Sequence, residues 1–173
     1  MDTFFEQIVK KKKTAFEWGG IVATFIVAAI LAVLVWVLNL PLLTPLLIVG
    51  ILYGAWWLIT GLNVEYEYSM TSGVITFTKI LGGRSRRQIL ELTIKEMKEI
   101  RPFEEGAKEH LETLGLKNDY VLVSDIDSPD VYYAVFENDK SELEVVYFEA
   151  TKKALSIFKF YNPSSTKVIE VSK

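Results

Sequence analysis

Basic side chains are the residues of this sequence whose type and spacing best suit a chemical task. Arg84, Arg86 and Arg87 follow a Gly82-Gly83 pair. An unbroken basic run lies near the N-terminus: Lys10, Lys11, Lys12 and Lys13. Beside an anionic lipid leaflet, each such cation contributes about 1 kcal/mol of attraction. The three arginines are equally well explained as solvated residues that flank a strand, so both interpretations stay open.

The single histidine, His110, is the first candidate for metal or acid-base chemistry. It lies in a polar stretch predicted to be helical, with Glu105, Glu109 and Glu112 nearby. Adjacent residues such as Glu109 and His110 do not share a helix face, so their spacing suits a metal site poorly. We therefore expect a solvated surface histidine and no bound metal.

The other residue patterns of catalysis give no candidate. Asp125, Asp127 and Asp130 surround a turn at Pro129, but they lack the spacing and the bidentate glutamate of a calcium loop. The chain has no cysteine, no glycine-rich phosphate loop before a helix and no serine in a nucleophile elbow. We expect no catalytic residue and no cofactor, and we predict that the protein is not an enzyme.

Two long apolar stretches are the elements that must position the basic residues. No charged residue occurs from Trp18 to Val64, and Asn39-Leu40-Pro41 divides this segment in two. As helices, the blocks 18–38 and 42–62 would each extend about 30 Å, which is enough to cross the hydrocarbon core of a bilayer. The sequence therefore predicts a transmembrane helical hairpin over residues 17–62.

The distribution of charge around the two spans predicts their orientation. The four lysines lie just before the first span, and the connecting turn contains neither lysine nor arginine. Positive charge is retained on the cytoplasmic side of a membrane. We therefore predict a multi-pass protein of the cell membrane with both termini in the cytoplasm, and the absence of cysteine agrees with a cytoplasmic domain.

Residues 1–16 form a basic amphipathic segment of their own. Thr3 and Glu6 have the spacing of a capping box, and the apolar residues that follow have helical spacing: Phe4, Phe5, Ile8 and Val9. This pattern predicts a short helix lying on the inner leaflet. The alternative is a plain charge run that orients the first span.

Small residues within the spans indicate how the helices pack. Thr24, Ala28 and Ala32 recur every fourth position in the first span, and Gly50 and Gly54 form a GxxxG motif in the second. Small residues let helix backbones approach closely in lipid. We expect the two spans to pack on each other, and a homo-oligomer formed through the transmembrane helices is the alternative. Neither span has an ionisable residue, which argues against a channel or transporter.

The outer domain, residues 63–163, shows short alternating segments and is followed by a loose tail over 164–173. Strands are predicted at 64–69, 74–81, 86–94, 97–102, 120–126, 131–137 and 143–149, and helices at 105–114 and 151–161. About seven antiparallel strands in a bent sheet or partly open barrel, closed by a C-terminal helix, are the arrangement of a pleckstrin-homology (PH) fold. The predicted fold class is thus a membrane α-helical hairpin plus a mainly-β PH-like domain.

One segment of the chain resembles a known family. The run from Asn63 to Tyr68, then Thr71-Ser72-Gly73, Lys79-Ile80 and Arg84-Ser85-Arg86-Arg87, is similar to a family of small clostridial membrane proteins. The resemblance extends over nearly the whole chain. It implies a basic N-terminus, two spans and a C-terminal domain like bacterial PH domains, and it implies no reaction.

Charge and fold together leave two functional hypotheses. From Asn63 to Lys173 there are 15 basic and 19 acidic residues, so we expect no nucleic-acid partner. In the first hypothesis, the domain is an adaptor that binds an unidentified membrane or cytoplasmic protein through a sheet edge or a groove beside the terminal helix. In the second, the Arg84–Arg87 loop, returned to the bilayer by the first strand hairpin, binds or senses anionic lipid headgroups.

Overall fold

The computed structural model describes residues 4–38 and 40–167, and they divide into two compact units. The helical unit comprises the described parts of Lys12–Glu65 together with Ile80–Arg86. The β unit comprises the described parts of Met1–Lys11, Tyr66–Lys79 and Arg87–Lys173. The side chains of the two units pack differently, and each unit is described separately.

The helical unit contains two long apolar helices, α1 (Ala15–Val37) and α2 (Thr44–Gly61). α1 starts earlier than the predicted span because Thr14 and Glu17 form a capping box. The Thr14 hydroxyl accepts from the Glu17 amide at 3.3 Å, and the Glu17 carboxylate accepts from the Thr14 amide at 2.7 Å. α2 starts at Thr44 with a proline in its first turn. Both helices are long and apolar enough to cross a membrane.

The β unit contains two four-stranded sheets. The first sheet has the order β1-β2-β3-β4, with β1 at Phe4–Lys10, β2 at Val64–Thr71, β3 at Val74–Leu81 and β4 at Ser85–Thr93. The second has the order β5-β7-β8-β6, with β5 at Glu99–Pro102, β6 at Asp119–Val121, β7 at Val131–Glu137 and β8 at Leu143–Glu149. Helices α3 (Ala107–Thr113) and α4 (Lys152–Tyr161) complete the unit.

This arrangement corrects the predicted sheet geometry. Seven strands, β2 to β8, lie within residues 63–163, β1 adds an eighth in the described part of the chain, and the strands form two sheets. The strands are not all antiparallel, because β6 pairs parallel to β8, with Asp119 opposite Val145. β7 and β8 form the expected antiparallel hairpin, with Val131 opposite Glu149.

The additional strand is β1, and it replaces the amphipathic helix predicted near the N-terminus. Phe5 and Val9 are buried, whereas Phe4 and Ile8 are exposed, so burial follows the period of a strand and the predicted helix is wrong. In the sheet, β1 is hydrogen-bonded to β2. The capping box predicted at Thr3 lies outside the described residues. Both long helices are consequently inserted in the chain between two neighbouring strands, β1 and β2.

Aromatic rings from both sheets and from α4 form the core of the β unit. The ring centroids of Tyr68 and Phe77 are 5.4 Å apart, and those of Phe77 and Phe148 are 5.9 Å apart. Phe158 of α4 packs on Phe148 at 5.2 Å. α4 is held in place by Asn162, whose amide donates to the carbonyls of Ile94 at 2.9 Å and Met97 at 2.8 Å. The C-terminal helix thus packs against the aromatic core of the β unit.

Candidate functional site

The arginine loop, residues 84–87, follows a backbone turn that lies against the end of α2 within the helical unit. The Gly82 amide donates to the Asn63 carbonyl at 2.7 Å. Gly82 has a φ of +59°, and a Cβ atom placed there would lie 2.9 Å from the Thr60 carbonyl oxygen. Only glycine fits this approach without displacement of backbone. Gly82, the first residue of the glycine pair noted in the sequence, therefore allows the turn to approach the backbone of α2.

Arg84 binds the C-terminal turn of α2. Its Nη2 donates to the Thr60 hydroxyl at 2.5 Å, and that hydroxyl donates to the Trp56 carbonyl at 2.9 Å. The guanidinium carbon lies 5.0 Å from the ring centroid of Trp56 and 5.6 Å from that of Trp57. α2 has no basic residue in its last turn, so Arg84 supplies the cation that the negative end of the helix dipole favours.

Arg86 and Arg87 are in a different environment. Both are exposed residues at the start of β4. Successive residues of a strand point to opposite faces of the sheet, so these two guanidiniums diverge. Arg84, by contrast, is held against α2 by its contacts with Thr60, Trp56 and Trp57.

The four lysines of the predicted basic run also lie in different structural elements. Lys10 ends β1, and the other three residues, Lys11, Lys12 and Lys13, connect it to α1. Lys13 lies over the indole of Trp18, with its Nζ 5.7 Å from the ring centroid. Cation–indole contacts are therefore present at the start of α1 and at the end of α2. A basic collar that combines the lysines with the arginines stays a prediction.

The small residues predicted to mediate helix packing have two different environments. Thr24, Ala28 and Ala32 are half-buried on α1, which contacts α2. A Cβ atom at Gly50 or Gly54, by contrast, would meet no other atom within 4 Å. The GxxxG motif is thus not a point of close approach between α1 and α2 in the described structure. Self-association through this motif stays a prediction.

His110 has a partner that the sequence did not indicate. Its Nε2 lies 2.9 Å from a carboxylate oxygen of Glu99 in β5, and Glu99 also forms an ion pair with Arg101. The histidine is thus hydrogen-bonded to a residue of β5 and not to one of the glutamates near it in the sequence. Among the described residues, no group of three metal-ligating side chains occurs.

Asp125 accepts from the Asp127 amide at 3.2 Å, as a turn residue does.

Glu144 is a buried carboxylate that sequence reasoning missed. It accepts hydrogen bonds from Asn118 at 2.7 Å, Asn138 at 2.9 Å and Tyr120 at 3.1 Å. Burial alone would raise its pKa, but the three hydrogen bonds outweigh burial and hold the pKa below its ordinary value. Because every donor comes from a neighbouring loop or strand, the network stabilises the β unit and has no free group for chemistry.

Two surfaces of the β unit are open to a partner. β4 is an edge strand of nine residues, and its first four residues, 85–88, are all exposed. Next to α3, a cleft of about 520 Å³ has an apolar floor that includes Leu111 and Val145. Lys108 and Asp119 lie at the rim of this cleft. Neither surface carries a catalytic arrangement.

Comparison with known proteins identifies the family. The sequence profile described as "Bacterial PH-like domain (DUF6106)" matches residues 1–168. The chain belongs to this family. No curated protein and no solved structure matches the chain. Membership of DUF6106 confirms the PH-like domain inferred from the strand pattern. The clostridial origin and the two membrane spans implied by the resemblance stay predictions.

Proposed function

We propose that this DUF6106 protein is a non-enzymatic adaptor, anchored in a bacterial cell membrane, that presents its PH-like domain to a protein partner in the cytoplasm. The observation that carries the proposal is the open edge of β4. A nine-residue strand at the end of a sheet has a neighbouring strand on one side, so an extended segment of a partner can add to its other side. Main-chain pairing of this kind requires no catalytic residue and no cofactor.

Membrane anchoring is supported by the surface of the helical unit. Ile21 is the only buried residue among the described positions of α1 and α2. Large apolar side chains point outward along both helices, and an apolar surface of this extent is unfavourable in water. A bilayer is the solvent that such a surface fits, because all backbone groups of a helix are satisfied internally.

The position of β1 supports a single side for both termini. β1 precedes α1 in the chain and pairs with β2, which follows α2. If the helices cross a bilayer twice, β1 and the rest of the domain lie on the same side of it. The lysine run that connects β1 to α1 favours the cytoplasmic side.

Site-specific crosslinking in living cells tests the adaptor function. A photoreactive amino acid is introduced at Gln88 on the β4 edge and, as a matched control, at Asp139 in the turn between β7 and β8. Both positions are exposed. We expect one recurrent protein to crosslink at position 88 and not at position 139. Equal crosslinking at both positions, or none at position 88, would contradict docking at this edge.

A second candidate function is binding of anionic lipid headgroups by the arginine loop. It is favoured by the contact of Arg84 with two indoles at the end of an apolar helix. Replacement of Arg84, Arg86 and Arg87 by Gln separates the two functions. If the loop binds lipid, this triple variant copurifies with far less anionic lipid. If the protein is an adaptor, crosslinking at position 88 persists in the same variant.

A further inference from the structure

Cation–indole pairs occur at one end of the helical unit, on both of its helices. Lys13 lies over Trp18 at the start of α1, and Arg84 lies over Trp56 and Trp57 near the end of α2. These two helix ends are neighbours, because a Cβ atom at Gly20 would lie 3.7 Å from a methyl group of Leu62. Two independent sets of contacts therefore mark the same end of the hairpin.

The chemistry of these pairs fits the boundary between hydrocarbon and water. Indole rings collect at this boundary because one edge is apolar and the other donates a hydrogen bond. Long basic side chains reach from an apolar helix to the headgroup layer. Trp56 and Trp57 are 54% and 52% exposed, so a large part of each ring faces the surroundings of the helix.

We infer that Trp56, Trp57 and Arg84 form an interfacial anchor that fixes the depth of α2 in a phospholipid bilayer. The Lys13–Trp18 pair marks the same depth on α1. The inference rests on the proposed membrane anchoring. It specifies in addition which layer of the bilayer the end of α2 contacts. The partner is the phosphate and carbonyl layer of the bilayer itself, which every phospholipid provides.

This role differs from the sensing of anionic headgroups. The Arg84 guanidinium already interacts with the faces of both indoles and with the Thr60 hydroxyl. Its position therefore does not depend on an excess of negative lipid. The depth of the anchor should be the same in vesicles of phosphatidylcholine and in vesicles that also contain phosphatidylglycerol.

Gly82 gives a way to displace Arg84 without removing its charge. In Gly82→Ala, the new Cβ would lie 2.9 Å from the Thr60 carbonyl oxygen, so the turn that carries Arg84 must move away from α2. Gly83 is a matched control. Its φ is also positive, at +68°, but a Cβ atom there would meet nothing within 4 Å. Both alanines strain the backbone, and only the first disturbs the anchor.

Depth-dependent quenching of tryptophan fluorescence tests the anchor in the full-length protein. A Trp18→Phe/Trp36→Phe background leaves Trp56 and Trp57 as the fluorophores. The protein is reconstituted in phosphatidylcholine vesicles with bromine either close to the headgroup or deep in the acyl chain. We expect stronger quenching by the shallow bromine. The ratio of shallow to deep quenching should fall about twofold in Arg84→Gln and in Gly82→Ala.

The controls distinguish the anchor from its alternatives. Gly83→Ala and Arg84→Lys should retain the ratio, since each keeps a cation over the indoles. A ratio unchanged by Arg84→Gln in protein that is inserted in the vesicles would overturn the anchor alone. The same loss in Arg86→Gln/Arg87→Gln would also overturn it, because a diffuse basic collar would then set the depth. A wild-type protein that does not associate with vesicles would overturn the proposed membrane anchoring as well.

Discussion

The helical unit and the β unit place their apolar side chains in opposite directions. Phe77 and Phe148 are fully buried between the sheets, whereas Phe25 of α1 is 61% exposed. In the β unit, water drives aromatic rings inward, where they pack on one another. In the helical unit, the large apolar side chains are not packed into a core and face the surroundings of the helices. This difference is the pattern that the proposed membrane anchoring predicts.

The largest effect expected from this comparison is at the centre of the β unit. Phe148→Ala removes a ring that contacts Tyr68, Phe77 and Phe158, and it should lower the free energy of unfolding by about 4 kcal/mol. Hydrogen exchange of the β7 and β8 amides in detergent-solubilised protein measures this change. Phe25→Ala is the matched control on α1 and should leave the same amides unaffected. Equal losses of amide protection in both variants would contradict the difference in packing between the two units.

The N-terminal strand gives the next largest effect. Phe5 is 7% exposed and Phe4 is 63% exposed. Phe5→Ala should therefore destabilise the β unit by about 3 kcal/mol, and Phe4→Ala should change it little. The same exchange measurement reports both variants. An amphipathic helix on the membrane would have made the two phenylalanines nearly equivalent, so similar effects would argue against β1.

This strand also shows where sequence reasoning was limited. Phe4, Phe5, Ile8 and Val9 fit a helical period, and over seven residues a strand gives nearly the same pattern. The choice depends on β2, more than fifty residues later in the chain, whose edge pairs with β1. Long alternating segments such as 74–81 and 143–149 were predicted at their observed bounds because their pattern is local.

For the candidate site residues, too, the sequence indicates the residue type but not the contacts with residues distant in the chain. Arg84 was identified by its charge, but its contact with Thr60 joins residues that are 24 positions apart. The partners of Glu144 are likewise up to 26 positions away. No local pattern encodes such contacts. Without them, the three arginines could be predicted as a group, but the contacts of Arg84 with the end of α2 could not.

A change at Glu144 sharpens the comparison by testing a buried polar site within the β unit. Glu144→Gln removes the charge from three hydrogen bonds and should cost about 2 kcal/mol of stability at neutral pH. Glu144 is 5% exposed, and its carboxylate is held by these hydrogen bonds.

The same variant has a defined pH dependence. Because folding lowers the pKa of Glu144 below its ordinary value of 4.5, its contribution is present above that pH and is lost as pH falls through the folded-state pKa. The difference in stability between wild type and Glu144→Gln should therefore shrink below pH 4.5. Urea titrations of both proteins over this range measure it, and a constant difference would be inconsistent with a charged Glu144.

The smallest expected effects compare two glycines of the helical unit. Gly82→Ala should destabilise the turn beside α2 by about 1 kcal/mol or more, because it combines a positive φ with a close backbone contact. Gly54→Ala has open space around it and should be neutral or stabilising by a few tenths of a kcal/mol. Thermal stability in detergent measures both. A destabilising Gly54→Ala would instead favour a close helix–helix contact at the GxxxG motif.

The topology of the chain tests the membrane-anchored adaptor most directly. Because the sequence has no cysteine, a cysteine placed at Leu42, between the helices, or at Gln88, on the β4 edge, is its only thiol. Both side chains are exposed. A membrane-impermeant maleimide should label position 42 in intact bacterial cells, and position 88 only after permeabilisation. Labelling of position 88 in intact cells, or of neither position before permeabilisation, would contradict a hairpin that holds the PH-like domain at the cytoplasmic face.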